Sequence, residues 1–184
     1  MACVREKAQL MSASEIDRTL VRLAHEVLEK TEDLHKLAFI GIRRRGVPLA
    51  ERLARKIGTL ENRQIPVGII DITLYRDDLS TIGDRPVLNT TAVPFDVTGK
   101  DIILVDDVLY TGRTVRAALD ALFDIGRPGR VQLLVLIDRG HRELPIAARY
   151  VGRFVQTAAH ETIEVKLQET DQTEKVLLVE SVDG

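Results

Sequence analysis

The sequence predicts an α/β domain: a mainly parallel sheet flanked by helices, with a small β-rich hood at its end. Three observations carry that reading. Short, continuous apolar runs at 37–42, 102–105 and 131–137 have the uniform hydrophobicity of strands covered on both faces, as parallel strands are. Between them the apolar residues recur at helical spacing, so the order is strand, helix, strand, helix, strand. After Asp138 come three short β-type runs, 149–155, 163–168 and 176–179, which read as an antiparallel subdomain capping the sheet. One domain spanning 1–184 is expected, with a core over about 13–138 and a hood over about 139–184.

The first helix announces itself by a capping box, Ser12 at the N-cap and Glu15 three residues on. Its core stripe is Ile16, Leu20, Leu23, Val27 and Leu28. Arg18, Arg22 and His25 share another stripe, which the helix alone would explain as a solvated face. The strand at 37–42 runs into Arg43-Arg44-Arg45-Gly46-Val47-Pro48, and Leu49, Leu53 and Ile57 then mark a second helix, with Pro48 tolerated in its first turn. Three arginines there are either a solvated basic turn or a polyphosphate site. Their place outside the carboxyl end of a parallel strand favours a ligand.

A third strand is expected over 66–75, rich in Ile, Val and Thr. From Arg76 to about Thr91 the pattern lapses, which suggests a lid. The helix after the central strand carries Val115, Ala118, Leu119, Leu122 and Phe123, and Gly126 with Pro128 fits a left-handed C′ glycine followed by proline.

Composition narrows the function classes. With 45% hydrophobic residues and no Trp, aliphatic packing must dominate the core. A lone cysteine, Cys3, excludes a disulfide framework and a cysteine-rich zinc site. No signal-peptide pattern and no apolar run of spanning length is present, so a soluble cytoplasmic protein without membrane contact is expected. At a formal net charge of −2, nucleic acid could be bound only by a local basic face.

The chemistry concentrates at 102–114, Ile-Ile-Leu-Val-Asp-Asp-Val-Leu-Tyr-Thr-Gly-Arg-Thr. A buried strand, a short loop and a helix N-terminus leave backbone N–H groups free and a positive dipole end, so an anion is welcome. Gly112 lets the backbone approach a ligand, and the Thr111 and Thr114 hydroxyls add hydrogen bonds. Asp106 and Asp107 would be wrong beside a phosphate but suit vicinal hydroxyls, because ionised carboxylates only accept. A phosphate cradle beside two diol acceptors describes a ribose 5-phosphate site. An ordinary strand–loop–helix with an acidic turn is the plain alternative.

That stretch resembles the signature of type I phosphoribosyltransferases, which bind 5-phosphoribosyl-1-diphosphate (PRPP). Together with Asp71-Ile-Thr-Leu-Tyr-Arg-Asp-Asp-Leu79, Gly126-Arg-Pro128 and Asp138-Arg-Gly-His-Arg-Glu-Leu-Pro145 it resembles the PyrR family over nearly the whole chain. That family comprises bacterial regulators of pyrimidine genes that are also uracil phosphoribosyltransferases. The resemblance implies the type I phosphoribosyltransferase fold and a PRPP site formed by Asp106, Asp107, Val108, Leu109, Tyr110, Thr111, Gly112, Arg113 and Thr114. It further implies a pyrophosphate loop of Arg44, Arg45 and Gly46, with a cis peptide expected at Arg44–Arg45. A flexible loop over about 75–91 would include Tyr75, Arg76 and Asp77, and uracil would be held near Ile137, Asp138, Arg139 and Ile163. Magnesium would accompany PRPP and be held mainly by it. The family's RNA face, which binds pyr mRNA leader under the control of UMP and UTP, maps to Arg18, Arg22, His25, His141, Arg142 and Arg153. Val21 and Ala147 depart from that pattern, where a small hydroxyl residue and an arginine are usual. A homo-oligomer is also implied.

Overall fold

The computed structural model describes residues 3–75 and 91–182. In chain order the elements are β1 (Cys3–Ser12), α1 (Ala13–Lys30), β2 (Leu37–Ile42), α2 (Gly46–Glu61), β3 (Val67–Ile70), a 3-10 turn (Thr73–Tyr75), β4 (Asp101–Leu109), α3 (Arg113–Ile125), β5 (Arg130–Asp138), β6 (Tyr150–Phe154), β7 (Glu161–Lys166), α4 (Gln168–Asp171) and β8 (Lys175–Val182). Five strands form a parallel sheet in the order β3-β2-β4-β5-β6, and β1-β8-β7 form an antiparallel sheet. This is the type I phosphoribosyltransferase fold.

The alternation of side chains along each parallel strand builds the two halves of the core. Leu37 and Phe39 of β2, Ile103 and Val105 of β4, and Leu134 and Leu136 of β5 pack with α1, α2 and the hood. Ala38, Ile40, Ile42, Ile102, Leu104, Leu133 and Val135 turn the other way, onto Val115, Ala118 and Leu122 of α3. Every residue of β2 is buried, as the unbroken apolar run predicts for a central parallel strand. At the start of α1 the Glu15 amide donates to Ser12 Oγ (3.3 Å) and the Ser12 amide to Glu15 Oε2 (2.7 Å), the expected capping box.

Three expectations need correction. The strand predicted over 66–75 stops at Ile70, because Asp71 turns the chain: its Oδ1 accepts from the Thr73 amide and hydroxyl, and a 3-10 turn follows. The run at 149–155 joins the main sheet rather than the hood, with β6 parallel to β5. Its place in the hood is taken by β1, which pairs with β8 although residues 4–9 are exposed and largely charged or polar. Arg5 and Lys7 are instead held by ion pairs to Glu180 and Glu161. Finally, Gly126 is extended (φ 166°) rather than left-handed. What it provides is close approach, since a β-carbon there would lie 2.5 Å from Val97 Cγ2.

A candidate active site at the carboxyl ends of the parallel strands

Three segments converge where β2, β4 and β5 end. β4 runs through Leu109, so Asp106 and Asp107 lie within the strand rather than at its end. Asp106 is buried (7% exposed), while Asp107 is half-buried. Asp106 Oδ1 accepts from the Asp107 amide (2.9 Å), and Asp107 Oδ1 accepts from the Val108 amide (2.8 Å). Burial, with the neighbouring Asp107 charge second, pushes the Asp106 carboxyl well above the usual carboxylate range. Leu109 is buried in the core, so its side chain is not available to a ligand.

Beyond the strand, Gly112 is the N-cap of α3 in a left-handed conformation (φ 94°) that favours glycine. A β-carbon on it would stand 3.0 Å from Ile146 Cγ1. No side chain caps this helix and its first turn carries no acidic residue, so its N-terminus suits a phosphate. Thr111 Oγ1 accepts from the Arg113 amide (3.3 Å), and the Thr111 carbonyl accepts from the Glu143 and Leu144 amides. Arg113 pairs with Glu143 (2.7 Å), so the segment after β5 folds over this loop.

The loop after β2 lies against the same strand. A β-carbon on Gly46 would overlap the Val105 carbonyl and stand 3.3 Å from Asp106 Cα, which is how close the first turn of α2 comes to the acidic pair. The cis peptide is at Arg43–Arg44, one bond earlier than expected. Arg44 is exposed and, among the described residues, its guanidinium has no hydrogen-bonding or ionic partner. Arg45 instead reaches Asp171 of α4.

At the end of β5, Ile137 is buried between Val108 and Arg153 in the ladder, and Ile163 is buried in β7. Their side chains belong to the core, leaving backbone groups for any ligand. Asp138 is buried with its Oδ1 accepting from the Gly140 amide (3.0 Å). Arg139 is 5% exposed; it donates to Thr157 Oγ1 (3.1 Å) and the Glu161 carbonyl (2.7 Å), and lies 3.9 Å from the Tyr110 ring centroid. Tyr110 therefore joins the loop before α3 to the hood, a contact no local sequence signal could reveal. Tyr75 anchors the start of the expected lid by donating to Asp124 of α3 (2.6 Å); Arg76 and Asp77 lie outside the described residues.

The residues expected to contact RNA divide into groups. Arg18, Arg22 and Arg153 line one groove of about 390 Å³ with Met11, Glu15, Thr19 and Gly152. Arg22 also donates to the Val151 (3.2 Å) and Gly152 (2.5 Å) carbonyls of β6, and Arg153 to the Leu10 carbonyl. His25 lines a separate, more apolar groove with Val21 and Leu60. His141 bonds the Thr157 carbonyl and sets its ring edge-on to Tyr110. Arg142 is tied inward, to the Asp138 carboxylate (2.8 and 3.0 Å) and to the Ile146 (2.9 Å) and Tyr110 (2.8 Å) carbonyls.

The phosphoribosyl transferase domain family model matches residues 9–170. The chain is 58% identical over 179 residues to the bifunctional protein PyrR of Pelotomaculum thermopropionicum, covering 97% of this chain and 99% of that one. The chain belongs to the PyrR family of phosphoribosyltransferases. The PyrR protein of Deinococcus radiodurans is equally similar, 58% identical over 177 residues, covering 96% of this chain and 97% of that one. Among solved structures, the hypoxanthine phosphoribosyltransferase of Trypanosoma cruzi superimposes with a TM-score of 0.73 at 20% identity, over 94% of this chain and 95% of that one; this likeness shows the fold.

Proposed function

We propose that this protein transfers a phosphoribosyl group from PRPP to uracil, giving UMP and pyrophosphate, and that it also regulates pyrimidine genes by binding their mRNA leader in the cytoplasm. The observation that carries the enzymatic reading is the Asp106–Asp107 pair beside an uncapped helix N-terminus. The 5-phosphate sits on the α3 amides and the Thr111 and Thr114 hydroxyls, and Asp106 and Asp107 take the ribose hydroxyls. Arg44 and the Gly46 amide at the start of α2 receive the pyrophosphate. Backbone groups after Asp138, with the hood near Ile163, hold the base.

As the bond from the anomeric carbon to pyrophosphate lengthens, positive charge develops on the ribose. The uracil nitrogen forms the new bond and releases its proton to solvent or pyrophosphate. The chain's work is therefore positioning and charge stabilisation. Among the described residues no cluster of three or more His, Cys, Asp or Glu could enclose a metal. Asp106 and Asp107 would be the carboxylates nearest a magnesium ion carried in mainly by the diphosphate, and that ion would neutralise pyrophosphate charge.

The regulatory half draws support from the basic groove of Arg18, Arg22 and Arg153, an electropositive concavity on a slightly acidic chain. The test of the enzymatic half is turnover with alternative bases. Uracil with PRPP is expected to give UMP, and hypoxanthine, adenine and orotate little or nothing. A purine reacting as fast as uracil contradicts the assignment.

A further inference from the structure

The hood meets α2 through two arginines. Arg45, the N-cap of α2, sets Nε 3.1 Å from Oδ2 and Nη2 2.8 Å from Oδ1 of Asp171. Arg52, two turns on, pairs with Glu169 (2.7 Å) and with Glu174. The two contacts differ in kind. The Glu169 side chain is 44% exposed and that of Asp171 is 14% exposed. Asp171 Oδ2 also accepts from the Leu167 amide (2.9 Å) and the Thr170 hydroxyl (2.7 Å), so the hood itself fixes this carboxylate. Glu169, by contrast, has its carboxylate bonded within the hood only to its own amide among the described residues.

Arg45 has a second acid to answer to. The charges of Asp107 and Glu164 also act on its guanidinium, after that of Asp171. The fork on Asp171 uses Nε and Nη2, and among the described residues the Nη1 donors have no partner.

We propose that Asp171 is a positioning residue for the pyrophosphate end of the site. It holds the Arg45 guanidinium toward the hood, leaving Nη1 and the Gly46 amide to the leaving pyrophosphate. The proposal rests on reading Arg44–Gly46 as the pyrophosphate loop. It gives the short helix of the hood a task in binding PRPP.

The test is steady-state kinetics with uracil and PRPP, joined to calorimetric binding of pyrophosphate. Asp171→Asn is expected to raise KM for PRPP by about 10-fold or more while KM for uracil stays within about 2-fold. Arg45→Lys, which keeps the charge but loses the fork, should show the same split, and the double variant should be little worse than either single one. Asp171→Glu should recover part of the loss. Glu169→Gln breaks the neighbouring hood contact and should leave KM for PRPP unchanged. If Asp171→Asn does not fold, Arg45→Lys alone carries the same KM split. An unchanged PRPP KM in either variant, beside normal wild-type turnover, overturns the proposal. So does an equal rise in Glu169→Gln, because hood docking would then suffice. Wild-type protein that binds neither PRPP nor pyrophosphate overturns the site reading and this proposal with it.

Discussion

At the scale of single residues the site combines weak stability with chemical purpose. Asp106 is buried and its pKa is raised in the folded chain. The unfolded chain therefore ionises this carboxyl more readily. Stability is lost as pH rises from the unfolded value, about 3.9, through the folded one. Asp106→Asn removes that loss, so it should melt higher than the wild type at pH 7 and no higher at pH 3, below the unfolded value. Thermal unfolding at the two pH values measures this, and a lower midpoint for Asp106→Asn at pH 7 would contradict it. The types of Asp106, Asp107, Gly112 and Thr111 made the candidate site readable from sequence, because diol acceptors and an anion-binding helix start call for such residues at short spacing. Arg139, Thr157 and Asp171 were not readable as side-chain partners. Arg139 bonds residues 18 and 22 positions away, and Arg45 meets Asp171 at a separation of 126.

At the scale of elements, local signals predicted what local physics determines. The capping box starts α1 at Ala13 as Ser12 and Glu15 predict. Ser12→Ala should destabilise the protein by about 1 kcal/mol, read as a denaturant midpoint shift at constant slope. Because Ser12 also ends β1, loss of the cap should loosen the hood edge before the parallel core, visible as faster amide exchange in β1. Exchange uniform across the chain would count against that order. Hydrophobic pattern could not assign β1 and β6 to their sheets. β1 exposes most of its length and is held by its ladder to β8 and by ion pairs, so it lacks the one-faced burial that marks a strand in sequence. β6 resembles the hood strands in composition, and only pairing with β5 separates it from them. The strand at 67–70 was overextended for another reason: Asp71 ends it by a side-chain turn inside an otherwise β-rich run.

At the scale of the molecule, the two proposed sites lie on different faces. The proposed phosphoribosyl site is where β2, β4 and β5 end, while Arg18, Arg22 and Arg153 line a groove between α1 and β6. RNA held there should dissociate with salt along a log–log slope of about −0.7 per phosphate neutralised on single strands. Replacing Arg18 and Arg153 by Ala should flatten that slope by about one to two units and leave turnover intact. Filter binding of a pyr-leader hairpin across a salt series, with and without UMP, makes the measurement. Binding no better than to a scrambled RNA, unaffected by UMP, would sink the regulatory reading. Arg142 does not line that groove; its guanidinium holds Asp138 and two carbonyls.

The central claim is that the acidic pair on β4 grips the ribose of PRPP, and one measurement addresses it directly. The Asp106→Asn/Asp107→Asn double variant keeps the size of both side chains and removes both charges. Its rate of UMP formation from uracil and PRPP should fall by about 100-fold or more, with the far-ultraviolet circular dichroism of the wild type. An unchanged steady-state rate in that variant would contradict the assignment of the site.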